Sequence, residues 1–179
     1  MKKKSIQVIS HGQFEDSFID TIAEDIAREF NAEIKTEECH ADLNAFYAPS
    51  RRQYDANKLI RFLEEQSETK ALKIICLCQV DLFIPILTYI FGQAVYKGKT
   101  AIASIYRLKN EPYGMKSDDD LVLDRFRKVV IHELGHTFGL VHCQVPSCVM
   151  RSSTYVEDLD QKKIHLCKHC RNHMETLFE

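Results

Sequence analysis

The run His132-Glu133-Leu134-Gly135-His136-Thr137-Phe138-Gly139-Leu140-Val141-His142 constrains the fold more than any other feature of this chain. On a helix, side chains at i and i+4 share one face about one turn apart. His132 and His136 can therefore grip one ion at nitrogen–metal distances of about 2.0–2.1 Å. Glu133 sits beside the first ligand, where it can reach a metal-bound water without ligating the metal. Gly139 can adopt the left-handed conformation that ends a helix, and the chain can then bring His142 back as a third ligand. A helix, a sharp exit at a glycine and a returning segment must all converge on one point. Three protein ligands leave a fourth position open for water, which is the arrangement of a catalytic zinc. HExxH alone is a moderate signal; the added glycine and third histidine make it specific.

The chain has seven cysteines, and an odd number argues against a closed disulfide set. Cys143, Cys148, Cys167 and Cys170 fall as C-x4-C and C-x2-C. Thiolates so spaced suit a second, structural zinc with sulfur distances of about 2.3 Å. His165, His169 and His173 could replace a cysteine there, but four thiolates already fill a tetrahedron, so these histidines are expected to face solvent. His142 and Cys143 should serve different ions, because consecutive side chains of an extended segment point to opposite sides. Cys76 and Cys78 lie in an apolar run and are expected as small core residues of a buried strand. Cys39, His11 and His40 have no evident partners.

The apolar spacing predicts a strand over residues 5–10, an amphipathic helix over 16–30 and a strand over 32–36. A loop over 44–52, a helix over 55–68 and a central strand over 72–80 follow. This order implies a mainly parallel sheet with right-handed crossovers. Residues 89–96 and 100–107 read as an antiparallel hairpin about Lys97-Gly98-Lys99. Ser117 is the expected cap of the motif helix, and Asp118, Asp119 and Asp120 complement its positive end rather than bind metal. Further helices are expected over 156–164 and from Cys167 onward. A single domain over 1–179 results, with an N-terminal subdomain (1–139) and a small zinc-stabilised C-terminal one (140–179).

A net charge of −2 gives no general pull toward nucleic acid. Lys162, Lys163, Lys168 and Arg171 near the cysteines are offset by Glu157, Asp158 and Asp160, so a nucleic-acid-binding ribbon is a weak reading. The apolar run behind Met1-Lys2-Lys3-Lys4 is too short for a secretory segment, and no stretch approaches a membrane span. A cytoplasmic monomer with no membrane or nucleic-acid partner is expected.

From His132 onward the chain resembles the metzincin metallopeptidases, and more narrowly the archaemetzincins. The resemblance rests on the motif above, then His142-Cys143, Cys148-Val149-Met150 and Cys167-Lys168-His169-Cys170. Weaker agreement extends to Phe91-Gly92-Gln93-Ala94 and Ser104-Ile105-Tyr106-Arg107-Leu108. It implies a mixed α/β (α+β) fold, with a twisted sheet that has an antiparallel edge hairpin and packs on helices. It also implies a catalytic zinc on His132, His136 and His142, Glu133 as general base and acid, and a second zinc on the four cysteines. A methionine turn at Met150 would pack beneath the imidazoles. Where several metzincins carry a tyrosine two residues after that methionine, this chain has Ser152, and Tyr155 is the nearest tyrosine, so tyrosine assistance is not expected. The implied activity is zinc-dependent hydrolysis of peptide bonds, with an extended substrate pairing along the strand at residues 100–105. The alternative is a catalytically silent peptide-binding or regulatory protein on the same scaffold, which the intact Glu133 disfavours.

Overall fold

The computed structural model describes residues 4–67 and 69–176. Residues 1–3, Glu68 at the expected end of the second helix, and residues 177–179 at the expected end of the last helix lie outside the described residues. The chain opens with β1 (Lys4–His11), α1 (Asp16–Phe30) and β2 (Ala32–Cys39), a unit whose two strands pair in parallel. Ile22, Ile26 and Phe30 recur every fourth residue and bury one face of α1. The helix ends at Asn31, whose φ of 48° is left-handed and whose N–H bonds to Ala27 O. Short strands β3 (Tyr47–Ala48) and β4 (Gln53–Asp55) precede α2 (Ala56–Gln66). Asp55 caps α2 by accepting from the Asn57 and Lys58 N–H groups. Then come β5 (Lys73–Cys78), β6 (Leu82–Phe83), β7 (Gly92–Ala94) and β8 (Thr100–Ser104). Last are α3 (Asp119–Thr137), α4 (Val156–Asp160) and α5 (Lys168–Thr176).

The main sheet runs β2-β1-β5-β8-β7, parallel throughout except for β7. Residues of β5 and β8 alternate between its faces. Ile75, Leu77, Ala101 and Ala103 pack with α1 and α3, while Cys76, Cys78 and Ile102 pack with α2. Right-handed crossovers require this, because the connections leaving β1 and β2 run in opposite directions across the sheet. Cys76 and Cys78 are accordingly small core residues.

Three expectations need correction. Residues 44–52 are not merely a loop, since β3, β4 and β6 form a second, three-stranded sheet. The buried Gln53 amide fixes it by donating to Asp81 and to Thr88 O at 2.9 Å. Strand β8 (Thr100–Ser104) is not the free edge: it is wholly buried between β5 and β7. The hairpin folds outward, so the earlier strand β7 forms the margin. The cap of α3 is Asp118, which accepts from Leu121 N at 3.0 Å, and Ser117 lies one residue short of that position.

The C-terminal quarter packs into the same core. Leu159, Leu166, Cys170 and Met174 join the cluster that holds Ile6, Val8 and Phe126. Arg125 of α3 pairs with Asp160 at 2.7 Å, and the buried Glu29 of α1 accepts from Arg171 and from the Leu166 N–H. Helix α3 is buried on nearly every side, so its apolar pattern is broad rather than a stripe. Among the described residues no helix is long and apolar enough to cross a membrane.

Candidate metal centre

Three contacts lock the end of α3 against the hairpin. Lys73 donates to Thr137 O at 2.7 Å and to Gly98 O at 2.6 Å, Lys97 N donates to His136 O at 3.0 Å, and Tyr96 Oη donates to Gly139 O at 3.1 Å. At Gly139 φ is +91°, a left-handed conformation, and the chain reverses there with Leu140 N bonded to Gly135 O. This exit brings His142 back over the helix. The ring centroids of His132, His136 and His142 lie 4.6–5.2 Å apart, and one ring nitrogen from each falls within 4.8 Å of the others.

The tautomers follow from the backbone. His132 Nδ1 faces Val149 O at 2.9 Å and His136 Nδ1 faces Leu140 O at 2.8 Å. A carbonyl oxygen only accepts, so both Nδ1 atoms carry the proton and both Nε2 atoms present lone pairs. Those two Nε2 atoms face one another at 3.0 Å. Two lone pairs so close repel unless a cation lies between them. Tetrahedral zinc holds two imidazole nitrogens about 3.3 Å apart, so the donor set fits that ion. Burial, reinforced at His132 and His142 by the Lys162 ammonium, lowers all three imidazole pKa values and leaves the rings in the neutral, ligating form.

Glu133 is 8% exposed and points into a cleft of about 550 Å³ that the three histidines share. Burial pushes its carboxyl up to about 8, with Lys162 pulling the other way. Met150 is fully buried against α3. Gly135 faces Met150 Sδ so closely that no β-carbon would fit, and this explains a glycine inside a buried helix. Ser152 and Tyr155 both line the cleft, Tyr155 at its exposed rim.

The four cysteines also converge. Cys143 Sγ lies 3.8 Å from Cys167 Sγ, and Cys148 Sγ lies 3.8 Å from Cys170 Sγ. A disulfide needs about 2.05 Å, whereas a tetrahedron with 2.3 Å zinc–sulfur bonds has edges of about 3.8 Å. Burial raises the Cys148 and Cys170 thiols; burial opposes ionisation of Cys167 too, but the Cys170 N–H and the neighbouring thiols outweigh it and lower that thiol. Cys143 N bonds to Met150 O at 2.9 Å, joining this cluster to the turn beneath the histidines. His165, His169 and His173 are exposed, and His165 Nδ1 meets Glu29 rather than the thiols.

The sequence does not single out Lys162 as a site residue, yet the residue is 4% exposed and lines the histidine cleft. Its Nζ donates to Val149 O at 3.1 Å and to Arg151 O at 2.8 Å. Leu159 and Leu166, three residues before and four after it, both enter the core, and that spacing was the only available signal.

Residues 15–176 match the sequence profile of Peptidase family M54. The archaemetzincin of Saccharolobus solfataricus is 40% identical over 127 residues, which cover 71% of this chain and 68% of that protein. Among solved structures, archaemetzincin from Methanopyrus kandleri superposes with a TM-score of 0.86 at 27% identity, covering 98% of this chain and 96% of that one. Archaemetzincin from Archaeoglobus fulgidus, complexed with malonate, superposes with a TM-score of 0.77 at 28% identity, covering 93% and 98%.

Proposed function

The chain belongs to peptidase family M54, the archaemetzincin zinc metallopeptidases, and we propose that it cleaves peptide bonds by Glu133-assisted attack of water in the three-histidine cleft. The observation that carries this reading is the pair of Nε2 lone pairs 3.0 Å apart with the buried Glu133 carboxyl in the same cleft. His132, His136 and His142 would hold one zinc, and Cys143, Cys148, Cys167 and Cys170 a second, structural one. Zinc in the first position supplies Lewis-acid polarisation of a carbonyl and acidifies water. Glu133 accepts the proton of the attacking water and hands it to the leaving amine. A carboxyl raised toward neutral pH by burial suits both halves of that transfer.

An extended peptide would pair along β7, whose residues Gly92, Gln93 and Ala94 line the cleft at the sheet margin. Thiolate ligands need reduced cysteines, which fits a reducing compartment such as the cytoplasm. The test compares zinc-replete protein with Glu133→Ala on a diverse peptide library. Cleavage by the first and none by the second is expected, with equal zinc content in both. Equal cleavage would remove Glu133 as the base, and no cleavage by either would leave the peptide-binding alternative.

A further inference from the structure

Lys162 is unlike the other buried cations of this chain. Arg125 pairs with Asp160 at 2.7 Å and Lys128 with Asp124 at 2.5 Å, but among the described residues no carboxylate lies within 4.0 Å of Lys162. An ammonium has three N–H donors, and two of these go to the Val149 and Arg151 carbonyls. A tether for the turn at Met150 would not need a charge, and burying one without a counter-ion is costly. Ser153, two residues after Arg151, also lines the cleft, and its Oγ is buried without a hydrogen-bond partner among the described residues. Phe91, Val129 and Leu159 line the same cleft as Glu133 and the three histidines. One charged donor and one hydroxyl, both with unused capacity in that cleft, call for an anionic acceptor.

We propose that Lys162 and Ser153 form a carboxylate-binding subsite, which selects peptides bearing a carboxylate on the residue that supplies the leaving amine. That carboxylate is either an acidic side chain or a free C-terminus. Lys162 and Glu133 line the same cleft, and Glu133 hands its proton to the leaving amine, so the residue that supplies that amine is the one set beside Lys162. This inference rests on the peptidase reading above.

The test uses zinc-loaded protein and four short peptides. Two are C-terminally amidated and carry Glu or Gln after the scissile bond; two carry Leu there, with a free or an amidated terminus. Turnover is measured with the wild-type chain, and binding by calorimetry with Glu133→Ala. The Glu peptide, the free-acid Leu peptide or both should be favoured over the neutral counterpart by roughly tenfold or more, and the favoured arm identifies the source of the carboxylate. In the Glu133→Ala background, Lys162→Met should bring that ratio close to one and Ser153→Ala should reduce it. Cleavage with no preference in either pair overturns the subsite and leaves the peptidase reading standing, whereas unselective binding without cleavage overturns both. Acid-selective binding without wild-type cleavage does the reverse. Selectivity retained by a zinc-holding Lys162→Met overturns the subsite; if that variant loses its zinc, full selectivity in Ser153→Ala does so.

Discussion

Gly92 lies directly against Glu133: a β-carbon at Gly92 would sit 2.6 Å from Glu133 Cγ and 2.9 Å from its Cδ, and 2.8 Å from Ile102 O. The carbonyl belongs to the backbone of β8, so β7 must shift slightly there, and the flexible glutamate side chain must move as well. In Gly92→Ala the three imidazoles are untouched and zinc content should stay at the wild-type level. Turnover should fall by roughly 100-fold, the scale expected when a catalytic group is displaced by about 1 Å. Zinc analysis beside kcat and KM checks this. Full activity would mean that Glu133 can relocate without loss.

Gly135 and Met150 make a second steric pair, with a β-carbon at Gly135 meeting Met150 Sδ and lying 3.0 Å from Cε. Replacing glycine by alanine inside a helix normally stabilises by about 0.5–1 kcal/mol. Overpacking normally costs about 1–3 kcal/mol, so Gly135→Ala should be net destabilising. Met150→Ala alone should also destabilise by leaving a cavity. The double variant should be more stable than the sum of the two losses, because the collision vanishes with the thioether. Denaturant unfolding of the four proteins closes this cycle, and strict additivity would show that the two residues do not compete for space.

How far the fold and site could be read in advance depended on whether the signal was local. The bounds of α1 at Asp16 and Phe30 follow from its apolar spacing, and the histidine motif is visible because helical ligands recur at fixed offsets. The order of strands in the sheet is not local. Strand β7 is three residues long and contains Gly92 and Gln93, so nothing in its composition marks it as the margin beside the cleft. The second sheet is built from strands of two or three residues, too short for a period to register. Lys162 hides for a different reason: its neighbours Gln161 and Lys163 are exposed, and only the descent of Leu159 and Leu166 into the core carries it inward.

The sulfur geometry supports a closed zinc site, so elemental analysis should give about two zinc per chain, and Cys167→Ser should give about one. Because Cys143 N bonds to Met150 O and Cys170 is part of the main core, losing that ion should loosen more than the last helix. A cost of at least about 3 kcal/mol is expected, or roughly 6–12 °C in Tm for a chain of this size. Two zinc retained in Cys167→Ser would reject the four-thiol site.

The two sites should also differ in how pH governs their loading. Protons and zinc compete for the same lone pairs, so a site loses affinity on acidification only where its ligands take up protons. Burial depresses the pKa values of His132, His136 and His142, which are therefore already deprotonated at pH 7. Zinc entering there should displace almost no protons from the imidazoles. The imidazoles should add no pH dependence to its affinity from pH 8 down to 6.5 and should weaken it only below that. Burial raises the Cys148 and Cys170 thiols, which are protonated at pH 7 and must release protons to bind as thiolates. Affinity at the cysteines should therefore fall continuously over the same interval. Calorimetric zinc titrations of the wild type and of Cys167→Ser, each in two buffers of different ionisation enthalpy, measure the proton count directly. Several protons should accompany the cysteine site and fewer the histidine site, where Glu133 and the bound water, not the imidazoles, have protons to lose. Equal proton release from both would show that the imidazoles are charged before the metal arrives, against the neutral form that burial favours.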